Sequence, residues 1–137
     1  MILILGGTTE GRMAVKVADE AGSLYYYATR GSLQQIVCKY GIHLTGGMDL
    51  PYMIEFCRSN SIRLLIDAAH PFAMELHRTV AATSEALQLP VVRVERTYPE
   101  YSADLVWCDD YEDAIKKLKE AGIVRLLALT GVQTIGK

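Results

Sequence analysis

The run Ile2-Leu3-Ile4-Leu5 is apolar at every position and stops at once on Gly6-Gly7. A strand with no polar face has to be covered on both sides, which is the situation of a central strand in a parallel sheet. Met13, Val17 and Ala21 then recur at helical spacing, and Gly22 supplies a stop. Strand, glycine turn and helix form the first unit, and the rest of the chain repeats that alternation. Residues 24–28 read as a second strand, with Tyr25, Tyr26 and Tyr27 suited to a pleated surface. Leu33, Ile36, Val37 and Tyr40 mark a second helix closed by Gly41, and residues 43–45 form a short third strand. Asp49 caps a helix with Pro51 in its first turn, running to about Asn60. Residues 63–67 give a fourth strand, 73–87 an alanine-rich helix that Pro71 opens and Pro90 ends, and 91–94 a fifth strand. Further on, residues 105–108 and 124–129 read as strands on either side of a helix that Asp110 caps. Such alternation implies βαβ units, hence an α/β fold: a Rossmann-like, doubly wound, mostly parallel sheet with helices on both faces.

At 137 residues the chain has the size of one domain, and it buries enough surface to need no disulfide or metal support. Fourteen Lys and Arg against sixteen Asp and Glu leave a net charge of -2, which offers no field for collecting nucleic acid. Lys116, Lys117 and Lys119 read as a solvated helix end that complements the helix dipole. Cys38, Cys57 and Cys108 contain no C-x-x-C pair, so each is expected to be a small core residue of a reduced, cytoplasmic protein. Residues 1–5 are too short an apolar run for a signal peptide or a membrane span.

Ligands of open parallel sheets bind outside the carboxyl ends of the strands, and the turns there hold the unusual residues. Gly6-Gly7-Thr8-Thr9-Glu10-Gly11 joins a strand to a helix, where exposed amides and the positive end of the dipole suit phosphate. Thr8 stands where the G-x-G-x-x-G fingerprint has its middle glycine, so an ordinary tight turn competes with a nucleotide site. Thr29 and Arg30 follow the second strand, where an acid would favour NADH and a base accommodates a 2′-phosphate. Arg30 therefore points to NADPH, with NADH as the alternative donor and a solvated arginine as the plain reading. Asp67 and His70 invite a metal or acid–base reading, but two ligands do not complete a metal site, and spacing does not bring His43 or His77 to them. A histidine held by turn hydrogen bonds, lining a cleft without titrating, fits equally well.

Three segments taken together carry a family resemblance: the opening Ile2-Leu3-Ile4-Leu5-Gly6-Gly7-Thr8-Thr9-Glu10-Gly11-Arg12, then Asp67-Ala68-Ala69-His70-Pro71-Phe72-Ala73, and Val94-Glu95-Arg96. The chain resembles the precorrin-6A reductase family, including the cobalt-precorrin-6A reductases of cobalamin biosynthesis, over nearly its whole length. Gly46-Gly47-Met48-Asp49 is similar to the family's Gly-Arg-Leu-Asp segment, with Gly47 at the arginine position. Members have two Rossmann-like domains with NADPH and the macrocycle between them. The resemblance implies that residues 1–137 are the N-terminal dinucleotide-binding domain, that Leu129-Thr130-Gly131 leads toward a second domain absent here, and that this piece alone is inactive. The implied reaction is hydride transfer from a reduced nicotinamide to a ring double bond of the tetrapyrrole, with no side-chain nucleophile or catalytic side chain assigned and no metal held by the protein. Gly6, Gly7, Thr8, Thr9, Glu10, Gly11, Thr29 and Arg30 would bind the cofactor, and His70, Phe72 and Arg96 the substrate. Two other classes compete: a noncatalytic nucleotide-sensing or interaction domain, and a metal-assisted hydrolase using Asp67, His70 and His77. No nucleic acid or membrane partner is expected.

Overall fold

The computed structural model describes residues 1–31, 36–97 and 105–127. The chain divides into two compact units, Met1–Thr97 and Tyr98–Lys137.

The first unit is built on a five-stranded sheet of β1 (Ile2–Leu5), β2 (Tyr25–Thr29), β3 (Gly41–Thr45), β4 (Leu64–Asp67) and β5 (Val91–Arg93) in the order β3-β2-β1-β4-β5. Every pairing is parallel. β1 is central, as its unbroken apolar run requires. Its alternate side chains feed two cores. Leu3 and Leu5 pack with Met53 and Cys57 of α2 (Leu50–Ser59) and Val80 of α3 (Met74–Leu87). Ile4 joins Tyr25, Tyr27 and, from α1 (Thr9–Glu20), Val15 and Ala18. Helices thus cover both faces, which is the expected doubly wound fold.

Thr8 caps α1 by accepting from the Gly11 amide at 3.0 Å. At its other end the Gly22 and Ser23 amides bond back to Asp19 and Ala18, with Gly22 at φ +63°. The buried stripe of α1, however, is Gly11, Val15 and Ala18, and the apolar pair Met13 and Val17 is 61% and 65% exposed. Gly11 sets that rotation. A Cβ on Gly11 would stand 2.9 Å from the Gly6 Cα, so the helix presses its glycine against the end of β1 and turns residues 13 and 17 outward.

The helix expected between the second and third strands is not found in residues 36–40, and Leu33 lies outside the described residues. Ile36 and Cys38 pack against the Tyr25–Tyr27 core, while Val37 between them is 89% exposed, the alternation of an extended chain. The Lys39 and Tyr40 amides donate to the Asp19 carboxylate instead of to helical carbonyls. Gly41 opens β3 because a Cβ there would meet the Tyr25 ring at 2.2 Å. α3 also starts later than expected. Pro71 lies in a turn closed by the Ala73 amide on the His70 carbonyl at 2.8 Å, and the helix begins at Met74.

In the second unit, Asp110 caps α4 (Tyr111–Glu120) by accepting from the Asp113 amide at 2.9 Å. Lys117 bonds Asp113 and the Trp107 carbonyl. Residues 105–108 and 124–127 carry no strand pairing, and residues 128–129 of the second expected strand lie outside the described residues. Apolar sequence alone does not make a strand; a ladder partner is needed as well.

The cysteines also divide. Cys57 is buried and Cys38 half-buried, but Cys108 is exposed, contrary to the expectation of a core position for all three. Burial pushes the Cys57 thiol up to about 11. A thiol reagent at mildly alkaline pH is therefore expected to label Cys108 in the folded chain and Cys57 only after denaturation. Mass-spectrometric mapping checks this, and labelling of Cys57 as fast as Cys108 would contradict the packing of α2. Among the described residues, no helix is long and apolar enough to cross a membrane.

Candidate functional site

The strand order reverses its direction of growth at β1, so the crevice that receives ligands in such sheets opens between the carboxyl ends of β1 and β4. Two loops meet there. The Thr8 hydroxyl donates to the Ala68 carbonyl at 2.6 Å while accepting from Gly11, so one buried side chain ties the turn after β1 to the turn after β4. Gly7 has φ +102°, with nothing within 4 Å of where its Cβ would stand, so the turn keeps an open side. Gly6 has a different reason to be glycine: a Cβ there would lie 2.2 Å from the Tyr27 ring. The Tyr27 hydroxyl accepts from the Gly7 amide at 3.0 Å, which makes that tyrosine the floor of the turn. Thr9 is exposed, its hydroxyl accepting from Arg12 at 3.1 Å.

At the end of β2, Thr29 is buried and its hydroxyl is engaged. It donates to the Gly31 carbonyl at 2.9 Å and lies 2.8 Å from His43 Nε2, which fixes the turn beside Arg30. Arg30 is exposed and has no ion pair among the described residues. His43 packs near Tyr27, with ring centroids 5.4 Å apart, so β3 buttresses both the glycine turn and the Arg30 turn.

Beyond β4 and β5 the structure forms a cluster that sequence spacing does not reveal. The Asp67 side chain, 5% exposed, takes Arg93 Nη1 at 2.8 Å on one oxygen and meets His77 Nδ1 at 2.8 Å with the other. It also accepts from the Ala69 amide at 3.3 Å. His77, which spacing alone does not bring to Asp67, joins it because α3 leans its first full turn over the end of β4. The signal was present in the alignment of Asp67 with Arg93 across parallel strands, which requires the β4–β5 register to be known. His70 stands outside the cluster. It is exposed, its Nδ1 accepts from the Phe72 amide at 3.2 Å, and its ring lies 5.2 Å from that of Phe72, itself 86% exposed. Among the described residues, no group of three or more His, Cys, Asp or Glu could hold a metal ion.

Glu10 and Arg96, from opposite sides of the crevice, meet at 3.0 Å. Glu10 follows β1 and Arg96 follows β5, so this pair crosses over the carboxyl end of β4. A hydrogen bond from its own amide, and then Arg96, hold the Glu10 carboxyl below the usual range against the opposite pull of burial. Thr8, Glu10 and Gly11 follow β1, His70 and Phe72 follow β4 and Arg96 follows β5, all past the carboxyl ends of their strands, while Thr29 ends β2 and Arg30 follows it on the other side of β1.

Known proteins resemble this chain in sequence and fold. A family model described as precorrin-6x reductase CbiJ/CobK matches residues 1–137. The cobalt-precorrin-6A reductase of Priestia megaterium is 28% identical over 141 aligned residues, covering 98% of this chain and 54% of that protein. The precorrin-6A reductase of Rhodococcus erythropolis is 32% identical over 103 residues, covering 74% of this chain and 41% of the relative. A solved structure described as CobK precorrin-6A reductase has a TM-score of 0.66 at 23% identity, over 74% of this chain and 41% of that one, and so shares the fold. The chain spans about half the length of the curated relatives it matches. With the whole of residues 1–137 matched, the chain belongs to the precorrin-6x reductase CbiJ/CobK family.

Proposed function

We propose that this chain is the nucleotide-binding part of a reductase that transfers hydride from NADPH to a ring double bond of precorrin-6A or cobalt-precorrin-6A. The observation that carries the reading is the open, left-handed Gly7 turn at the β1–β4 crevice, tied by Thr8 to the β4 turn in a chain of this family. The residues fit a dinucleotide. Gly11 brings the start of α1 close against β1, and the open side of Gly7 leaves room for a pyrophosphate. Bound there, the reduced nicotinamide would supply the hydride.

The chain's own groups would orient the reactants. The Thr8 and Thr9 amides at the start of α1 would hold the pyrophosphate, since the Gly6, Gly7 and Gly11 amides are bonded to Ala28, Tyr27 and Thr8, and Arg30 would hold the 2′-phosphate that distinguishes NADPH from NADH. Phe72 and His70 offer aromatic area to a flat ring, and the Arg96 guanidinium suits the carboxylates at its rim. A soluble, cytoplasmic biosynthetic role fits this chemistry. The relatives' greater length favours a second domain closing the crevice, so the isolated chain is expected to bind cofactor weakly and to turn nothing over.

The test is an anaerobic assay of NADPH oxidation with cobalt-precorrin-6A, using the complete reductase that carries this chain and the chain alone. Turnover by the complete protein only is expected. Arg30→Ala should lower the preference for NADPH over NADH by about tenfold, since a charge-assisted hydrogen bond is lost toward one cofactor only. Absence of turnover in the complete protein rules out the reaction; equal losses toward both cofactors rule out the role of Arg30.

A further inference from the structure

α3 begins without a side-chain cap: Ala73 occupies the capping position, and the preceding turn must be held by something else. His77 stands one turn into that helix, and its Nε2 reaches back to the carbonyls of His70 at 3.1 Å and Pro71 at 3.2 Å. Both neighbours of Nε2 are acceptors, so Nε2 carries a proton and donates. The other ring nitrogen is clamped between the Asp67 carboxylate at 2.8 Å and Arg93 Nη1 at 2.7 Å. Asp67 ends β4, Arg93 ends β5 and His77 lies on α3, so three elements fix one imidazole. What the imidazole fixes in turn is a stretch of backbone whose two outward side chains, His70 and Phe72, are exposed and packed on each other.

A buried carboxylate, a guanidinium and an imidazole are a costly way to brace a surface turn unless its shape matters, since an apolar replacement of such a cluster is often neutral or stabilising. We propose that His77 is a positioning residue that holds residues 70–73 so that His70 and Phe72 form a preset aromatic platform for the macrocycle. The platform's role rests on the reductase reading above; the bracing does not. A mobile turn would have to be ordered each time a ligand binds, and that entropy is charged against affinity. His77 touches no reacting atom, so its loss should act on binding of the ring and leave the cofactor alone.

The test compares His77→Leu, which keeps bulk without a donor, with His77→Gln, whose amide can still donate to the same carbonyls. In the chain, amide exchange at Phe72 and Ala73 should quicken by at least about tenfold in His77→Leu and little in His77→Gln, with α1 and α2 unaffected. In the complete reductase, His77→Leu should raise KM for cobalt-precorrin-6A by about fivefold, with KM for NADPH and kcat nearly unchanged, and His77→Gln should restore most of it. Unchanged exchange at Phe72 and Ala73 in His77→Leu would overturn the bracing. Quickened exchange with an unchanged KM, or with equal losses for both substrates, would overturn the platform. A complete protein that never accepts the macrocycle refutes the reductase reading, while the exchange experiment still decides what His77 holds.

Discussion

Replacing Gly6 by alanine is expected to destabilise the fold by about 3 kcal/mol, at the upper end of what overpacking a core usually costs. Two effects oppose each other at this position. Gly6 does not have a positive φ, so alanine could adopt its backbone, and the smaller freedom of the unfolded chain would then stabilise by about 0.4–1 kcal/mol. Against that, the new Cβ would stand 2.2 Å from one Tyr27 ring carbon and 2.6 Å from the hydroxyl oxygen. The ring cannot swing aside, because Tyr27 is fully buried among Ile4, Val15 and Ala18 and its hydroxyl holds the Gly7 amide. Steric cost therefore wins. Urea unfolding of the single variants and of the double variant Gly6→Ala, Tyr27→Leu measures the coupling. In the Tyr27→Leu background the cost of alanine should fall below about 1 kcal/mol, because the clashing ring edge is gone. A Gly6→Ala chain as stable as the original would mean that the glycine serves ligand approach alone.

That result bears on what can be read from residues in order. β1 and β4 are legible because an interior parallel strand needs apolar residues on both faces, and α2 because Asp49 and Pro51 announce its start; β5 is read from its β-branched run after Pro90, although it lies at the sheet edge with Val91 and Val92 exposed. One helix is misread and another, correctly read, buries a face its apolar spacing does not mark, and both differences share a cause. Ile36, Val37 and Tyr40 have helical spacing, yet the Asp19 carboxylate captures the amides of residues 39 and 40, and the chain runs extended along the tyrosine core. Met13 and Val17 have helical spacing too, but the close approach at Gly11 turns them outward. In both cases a contact from another element decides, and periodicity along the chain carries no record of it.

The turns at the carboxyl ends of the strands stand out in the sequence because the unusual residues gather there, where ligands of this fold class bind. Sequence order could not say which of them are engaged with one another. The Thr29 hydroxyl is committed to Gly31 and His43, and Arg96 reaches Glu10 across the end of β4. Spacing along the chain does not place His77 beside Asp67, whereas the lean of α3 over β4 does. Side chains that hold a turn are chosen by three-dimensional proximity, and the residues they hold are the ones that stand out in the sequence.

The Asp67–Arg93 pair should show the second large effect. Arg93→Leu is expected to cost about 3 kcal/mol, the lower end of the range for breaking a buried pair, because the Arg93 side chain is itself partly exposed. The loss arises mainly on the aspartate. Its carboxylate is nearly sealed from water and would keep only His77 and the Ala69 amide as partners. The second contact of Arg93, to Glu95 at 2.6 Å, lies at the surface and contributes little. Asp67→Asn in the Arg93→Leu background removes the stranded charge while keeping an acceptor for Ala69, so the double variant should be more stable than Arg93→Leu by at least about 1 kcal/mol. Urea unfolding at low and high salt separates this from a surface ion pair, since the cost should persist when exposed charges are screened. If Arg93→Leu loses less than about 1 kcal/mol, or if salt abolishes its cost, the cluster is no more than a surface bridge, and the turn bearing His70 and Phe72 would owe its shape to something other than Asp67, Arg93 and His77.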